Sequence, residues 1–249
     1  MDMDLFDSYY RHLVLWDAAR SEVVGAYRMG DTREIFDRFG RKGLYTHTLF
    51  RFKGGMLRYL ADSLELGRSF IRSEYQRQPN CLALLWKGIG AYLVRHPGYR
   101  ILFGPVSISD SCHRVSKHIM VQFLKQRCTS NKLSAYVSPR CPLRPLTNRQ
   151  WFEMATRLPA GTLDDVSMIV AEIEEDGKRV PVLIKHYLKL NGQFIAFNVD
   201  RDFADAIDGL VVVDLMQTEI KLLERFMGAD GCRCYSEYWS GDRGLRAEC

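Results

Sequence analysis

Three charged residues sit where an apolar core is expected. Glu65 and Arg68 interrupt the run Leu64-Glu65-Leu66-Gly67-Arg68-Ser69-Phe70-Ile71, and Arg28 closes the run Val23-Val24-Gly25-Ala26-Tyr27-Arg28. A charge taken into a core is costly unless it is paired or used, so two such strands point to a site rather than a surface. A carboxylate between two leucines can accept a proton or serve as half of a structural ion pair. A guanidinium fork can grip a small carboxylate in two places or lock neighbouring acidic side chains.

The elements that must hold these residues can be read locally. His12 to Asp17 and Glu22 to Met29 have the apolar, β-branched content of two strands joined by a short turn. Residues 30–62 are weakly patterned, with one short strand expected from Tyr45 to Phe52, and Leu64 to Ile71 is the next strand. Pro79 is placed to open a helix on which Leu82, Leu85, Trp86, Ile89 and Leu93 follow helical spacing, ended by His96-Pro97-Gly98. Arg100 to Ser109 reads as a buried strand. Asp110 is placed to cap a helix running to about Arg127, with Val115, Ile119 and Phe123 as its apolar stripe. Arg114, His118 and Lys125 then fall on the opposite face, with Lys117 beside them. Residues 129–161 read as an irregular excursion with a short helix from Arg149 to Arg157. Helices are expected at 162–175, 181–190 and 218–227, and strands at 193–199 and 210–214. Hairpin, strand, helix, strand, helix and a late strand pair make a mixed α/β sheet rather than an alternating doubly wound one.

The bulk numbers bound the function. At 249 residues and 47% hydrophobic, the chain can bury a full core, and no run approaches the length of a spanning helix. The acidic start Met1-Asp2-Met3-Asp4 lacks the features of a signal peptide, so a cytoplasmic protein is expected. Seven cysteines at scattered spacings support neither a disulfide framework nor a metal site, so reduced thiols and no metal are expected. The net charge of +5 is unevenly spread: ten Lys and Arg residues lie between Arg95 and Arg149, opposed by Asp110 alone. Such a segment suits an acidic partner, or is simply a solvated face.

Several ordered motifs resemble one group of enzymes. Asp4-Leu5-Phe6-Asp7, His12-Leu13-Val14, the two charged strands, Leu102-Phe103-Gly104-Pro105-Val106-Ser107-Ile108-Ser109 and Pro139-Arg140 occur in the order seen in ornithine-lipid and glycine-lipid N-acyltransferases. So do Val180-Pro181-Val182-Leu183-Ile184-Lys185-His186-Tyr187-Leu188 and Phe197-Asn198-Val199-Asp200-Arg201-Asp202-Phe203. These enzymes form the hemolysin-like branch of the GNAT acyltransferases. The N-terminal third is also similar to acyl-homoserine-lactone synthases, which share the Asp-x-x-Asp, Gly-x-x-Arg and Glu-x-x-Arg positions. The resemblance implies an α/β (α+β) GNAT-like fold, a mixed central sheet flanked by helices, as one domain over residues 1–249 with an irregular insertion at about 129–180. It implies transfer of a (3-hydroxy)fatty acyl group from acyl carrier protein to the α-amine of an amino acid such as ornithine or glycine, the first step of aminolipid synthesis. Asp4, Asp7, Arg28, Glu65 and Arg68 would be its site positions.

Two departures stand out. Members usually carry a further helix before the Asp-x-x-Asp, which implies a shortened chain or the C-terminal part of a fusion with an O-acyltransferase. Many GNAT enzymes also place a tyrosine near the start of the helix after the fifth strand, as an acid for the leaving thiol. Here that stretch is Asp110-Ser111-Cys112-His113.

N-acylation needs a neutral amine, so a carboxylate base is required, and Glu65 is the candidate, with a structural ion pair to Arg28 or Arg68 as the alternative. Asp4 and Asp7 either bind the acceptor's ammonium, join an Arg28–Arg68 network, or are exposed near a chain end. Ser107 either bonds a 3-hydroxyl of the acyl chain or a backbone group. The turn Arg72-Ser73-Glu74-Tyr75-Gln76-Arg77-Gln78-Pro79 has no glycine, which disfavours a coenzyme A pyrophosphate cradle. The donor that the resemblance implies, the acyl-phosphopantetheine of acyl carrier protein, has one phosphate and needs less of a cradle, and no bound cofactor is expected. Arg72, Arg77, Arg114, Lys117, His118 and Lys125 are the expected docking residues for that acidic carrier. A peripheral inner-membrane contact is allowed by the basic segment, and nucleic acid is not an expected partner. The competing readings are an N-acyl amino-acid or acyl-homoserine-lactone-type signal synthase, and a non-catalytic basic module for membrane or nucleic acid. A pure binding module has no need of Glu65 and Arg68 inside a sheet.

Overall fold

The computed structural model describes residues 3–76, 78, 80–127, 129–147, 153 and 161–241. After a short 3-10 helix (Leu5–Ser8) come β1 (Arg11–Asp17), β2 (Glu22–Asp31), α1 (Thr32–Phe39), α2 (Thr46–Leu49), β3 (Phe50–Phe52), α3 (Gly54–Tyr59), β4 (Ser63–Ile71) and α4 (Cys81–Arg95). The chain continues with β5 (Ile101–Ile108), α5 (Arg114–Arg127), α6 (Asn131–Ser134), β6 (Val137–Pro139), α7 (Leu163–Ile173) and α8 (Val182–Lys189). It closes with β7 (Gln193–Asp200), β8 (Ala206–Asp214), α9 (Ile220–Met227) and α10 (Ala229–Ser240). Six strands form a mixed sheet in the order β1-β2-β4-β5-β8-β7, flanked by helices, and β3 and β6 form a separate pair. The β1–β2, β2–β4 and β7–β8 pairs are antiparallel, and β4–β5 is parallel. The expected α/β GNAT-like architecture is therefore present.

The chain divides into two compact units, the first made of Met1–Leu44, Leu60–Phe103 and Val213–Cys249, the second of Tyr45–Tyr59 and Gly104–Val212. In the first, α4 lies on β1 and β2 and against α9 and α10. The expected apolar stripe is what it buries: Leu85, Trp86, Ile89 and Leu93 are all nearly inaccessible, each such side chain contributing about 1.5–3 kcal/mol. Gly90 lets α9 come close, since a Cβ there would stand 2.4 Å from the Phe226 carbonyl oxygen. In the second unit, α5 packs on α7 and β7, around Ile119, Val166, Val170, Phe194, Leu210 and Val211.

Local expectations differ from the structure in several places. Thr32 to Phe39 is a helix, capped by Asp31, whose carboxylate accepts the Arg33 N–H. Its Ile35 is buried while its charged residues face out, a short amphipathic pattern within the stretch read as weakly patterned. Thr46–Leu49 is helical, and only Phe50–Phe52 pairs as a strand. Asp110 does not cap α5; its carboxylate holds Lys117 at 2.6 Å, while His113 Nδ1 accepts the Val115 N–H. Residues 229–240, unassigned from sequence, form α10, which buries Cys232 and Tyr235. The helix expected from Arg149 to Arg157, Glu153 apart, lies outside the described residues, as does Pro79 before α4. Cys81, Cys112, Cys141 and Cys232 are free thiols. Among the described residues no helix is long and apolar enough to cross a membrane.

Candidate active site

The Asp-x-x-Asp spacing first serves a helix start. Asp4 precedes the 3-10 turn Leu5–Ser8; its Oδ1 accepts the Asp7 N–H at 3.2 Å, and Asp7 Oδ2 accepts the Asp4 N–H at 2.8 Å. This reciprocal capping aligns the two carboxylates side by side. Into them reaches Arg28 from β2, whose Nη1 donates to Asp4 Oδ1 at 2.7 Å and to Asp7 Oδ1 at 2.9 Å. Arg28 is only 2% exposed, and its guanidinium also lies over the rings of Phe6 and Tyr10, 5.6 and 5.1 Å from their centres. Arg68 adds a second guanidinium, its Nε 3.3 Å from Asp4 Oδ2. It sits at φ 43° where the β2–β4 register shifts between the Ala26–Phe70 and Arg28–Gly67 pairings, and the bulge redirects its side chain toward Asp4. The network of two aspartates and two arginines expected from the sequence is thus assembled within the first unit.

Electrostatics follows this geometry. Burial pushes the Asp7 carboxyl up, but the Asp4 amide and the Arg28 guanidinium outweigh it and leave it below the usual range. Burial likewise opposes the charge on Arg28, and the bonds to Asp4 and Asp7 overcome this and raise it.

Glu65 lies one strand over, opposite Gly30 of β2 and Phe103 of β5, and is 1% exposed. Its carboxylate accepts a hydrogen bond from the Tyr10 hydroxyl. Gly30 makes this possible, because a Cβ at that position would stand 2.4 Å from the Tyr10 ring. Tyr9 packs tilted against Phe39, 4.4 Å between centres, and donates its hydroxyl to the Gly43 carbonyl at 2.9 Å. Burial, then the nearby Glu65 charge, raises the Tyr9 phenol above its ordinary range. Tyr10 was not read from the sequence as a site residue; its signal was a pair of tyrosines between the Asp-x-x-Asp turn and β1.

The remaining expected residues fall elsewhere. Arg72 holds Glu22 at 2.6 Å and Glu74 at 3.1 Å, and Arg77 lies outside the described residues. Ser107 belongs to the second unit, and its hydroxyl donates to Asp208 Oδ1 at 2.6 Å rather than to a backbone group. Asp208 is buried on β8, and burial first, then Asp200, pushes its carboxyl up to about 6 against the pull of the Ser107 bond. The signal that exposed Glu65, a charge inside an apolar strand, was also present at Ile207-Asp208-Gly209. It was missed because the strand was begun at Leu210 rather than Ala206.

His118, expected on the exposed face of α5, is buried instead. Its Nδ1 lies 2.8 Å from the Arg114 carbonyl oxygen and its Nε2 2.9 Å from that of Arg144. Arg114 donates to the Pro145 carbonyl at 3.2 Å, and Lys125 lies over the Phe197 ring, 5.8 Å from its centre. Arg114, Lys117 and His118 line a cavity of about 390 Å³ within the second unit.

Comparison with known proteins bears on this arrangement. The model of an acetyltransferase (GNAT) domain matches residues 1–87, the stretch that holds the two aspartates, both arginines, Tyr10 and Glu65. The chain is 30% identical over 245 residues to a glycine N(alpha)-acyltransferase of Bacteroides thetaiotaomicron, covering 91% of this chain and 72% of that protein. It is 31% identical to the same-named protein of Phocaeicola vulgatus, covering 77% of this chain and 61% of that one. To an L-ornithine N(alpha)-acyltransferase of Rhodobacter capsulatus it is 35% identical over 43% of this chain and 41% of that protein. No solved structure matches the chain significantly. With its GNAT-type sheet, its assembled Asp–Arg network and these relatives, the chain belongs to the amino-acid N-acyltransferases of the aminolipid family.

Proposed function

We propose that this N-acyltransferase moves a fatty acyl group from acyl carrier protein to the α-amine of a small amino acid, glycine or ornithine, as the first step of aminolipid synthesis. The observation that carries the reading is the buried Arg28 held by Asp4 and Asp7 beside Glu65. Together these are a carboxylate and guanidinium set able to orient a zwitterion. The relatives' names supply the acceptors to test first.

In the proposed reaction the neutral amine attacks the thioester carbonyl carbon, the new C–N bond forms, and the C–S bond breaks. The amine proton passes to Glu65, directly or through water, and the departing thiolate takes a proton from solvent. The Tyr10 hydroxyl fixes one carboxylate orientation, so the other lone pairs of Glu65 keep a set direction. The bonds to Asp4 and Asp7 fix the Arg28 guanidinium before substrate arrives, which reduces the ordering needed on binding.

Purified protein with 3-hydroxyacyl carrier protein and a panel of amino acids, read by mass spectrometry, should yield the N-acyl derivative of glycine or ornithine. Product from acyl-coenzyme A with none from the carrier would overturn the proposed donor. Glu65→Gln should lower kcat by about 10²–10⁴-fold with KM for the amino acid little changed. Full turnover by that variant across pH would remove Glu65 as the base.

A further inference from the structure

The two edge strands of the six-stranded sheet are finished differently. In the second unit β7 is covered: the Val199 N–H and the Thr129 hydroxyl donate to the Cys141 and Phe194 carbonyls, each at 2.8 Å, and Pro142 bridges to Asn198. In the first unit β1 is the other edge, and among the described residues its backbone bonds to β2 alone. A bare edge is a template for a further strand, and proteins that stay apart blunt it with proline, lysine or a bulge. β1 uses none of these: Arg11-His12-Leu13-Val14-Leu15-Trp16-Asp17 holds no proline, glycine or lysine. The irregularity in its pairing falls on β2, where Val24 is the extra residue, so β1 itself stays regular.

The two faces of β1 also differ. Leu13 lies over Gly88 of α4, and Leu15 packs with Val24, Tyr75 and Cys81. His12, Val14 and Trp16 point the other way, and Val14 and Trp16 are 45% and 54% exposed. Val14 pairs with Ala26 of β2 and Ala26 with Phe70 of β4, itself 50% exposed, so an apolar row crosses three strands.

The strand is complementary to itself. Turned antiparallel about Val14, it sets Arg11 opposite Asp17, His12 opposite Trp16, Leu13 opposite Leu15 and Val14 opposite Val14. A two-fold axis perpendicular to the sheet admits only registers that pair residues of one face. Shifting by two residues in either direction sets Arg11 or Asp17 against a leucine and strands one end. Arg11 keeps Glu34 at 2.6 Å, and Asp17 keeps the Ala19 amide and the Tyr75 hydroxyl. The charge match therefore spares the ends like-charge contact, while backbone bonds and apolar pairs supply the attachment.

We propose that β1 is a dimer edge, which pairs with β1 of a second copy of this chain in the antiparallel register centred on Val14. Each edge then takes from the other the N–H and C=O partners that water otherwise provides. Trp16 of the second copy falls beside His12, whose Nε2 is 3.9 Å from Asp7 Oδ1, so the interface adjoins the Asp–Arg network.

Sedimentation velocity of the full chain over about 1–100 µM should show a reversible monomer–dimer equilibrium. Val14→Lys sets two ammonium groups against each other at the two-fold and should raise the dimer dissociation constant at least about tenfold. Its circular dichroism should be unchanged, because Val14 is exposed. Val14→Cys should form a disulfide-linked dimer under mild oxidation, since facing Cα atoms stand about 4.5–5.5 Å apart. Trp16→Cys should stay at the parent's background, because its counterpart lies four residues along the strand, about 13 Å away. A monomer at every concentration would overturn the proposal, as would a dimer that Val14→Lys leaves intact, or cross-linking of Trp16→Cys in preference to Val14→Cys. A monomeric parent that binds phosphatidylglycerol vesicles, and loses them with Val14→Lys, would give this face to lipid and equally overturn it.

Discussion

Arg28 and Asp208 are both charged groups removed from water, and they have opposite consequences. Arg28 is satisfied by Asp4 and Asp7, which are 25% and 11% exposed at their side chains. Arg28→Met leaves Asp7 without its guanidinium and Asp4 with Arg68 alone, and should cost about 3 kcal/mol in urea unfolding. Arg28→Lys keeps the charge without the fork and should recover only part of it; a stability equal to the parent would show that the network is not structural. Asp208, by contrast, is held charged against its environment. Unfolded, it ionises near 3.8, and folded near 6, so between those values the folded chain keeps a proton that the unfolded chain has lost. Its contribution is therefore most favourable below pH 4 and is lost as pH rises through 6. Asp208→Asn keeps an acceptor for Ser107 without the charge. At pH 8 it should stabilise by up to about 3 kcal/mol, a Tm rise of several degrees, and at pH 4 it should do nothing. The same Tm change at both values would show that charge is not the cause. Asp7 runs the other way: its lowered carboxyl contributes stability above its unfolded value that disappears as the solution is acidified through the folded one.

Close approach between α4 and its neighbours rests on glycines that are not equivalent. At Gly90 an added Cβ would meet the backbone carbonyl group of Phe226, which cannot move without shifting α9. Gly90→Ala gains about 1 kcal/mol of helix propensity but should lose more to this clash, with a net cost of about 1–3 kcal/mol. At Gly88 the added Cβ would meet only the Leu13 side chain, at 2.9 Å, so Gly88→Ala should be near neutral. Thermal unfolding of the two variants reads the difference directly, and equal losses would mean that α9 follows α4 without strain. Gly30 plays the same part in the site, since it leaves room for the Tyr10 ring above β2.

Charge acts over the whole chain. Ten Lys and Arg residues between Arg95 and Arg149 face one aspartate, and the net charge is +5. An acidic carrier would be drawn by this excess, and salt would weaken the attraction, because the screening length falls from about 10 Å at 0.1 M to about 3 Å at 1 M. On the proposed reading, KM for an acyl carrier protein donor should therefore rise several-fold over that range, while KM for the amino-acid acceptor stays nearly flat. A carrier KM indifferent to salt would assign recognition to apolar contacts. The chain spans 72% and 61% of the two glycine N(alpha)-acyltransferases it matches.

What could be read from the chain alone was whatever its physics made local. Helical spacing marked Leu85, Trp86, Ile89 and Leu93 because one face of α4 must leave water. Glu65, Arg28 and Arg68 stood out because a charge inside an apolar strand needs a reason, and the matching spacing of Asp4 and Asp7 pointed to their partners. What stayed hidden depended on strand register and on contacts far apart in sequence. Tyr10 reaches Glu65 across 55 residues, and Ser107 reaches Asp208 across 101. His118 has the spacing of an exposed residue on α5, yet it is buried because a later segment brings the Arg144 carbonyl to its ring. Helical and strand periods report which side of an element turns from solvent. The partner of a buried polar group is selected only when distant strands are paired and the hydrogen bonds lost to water must be remade within the fold.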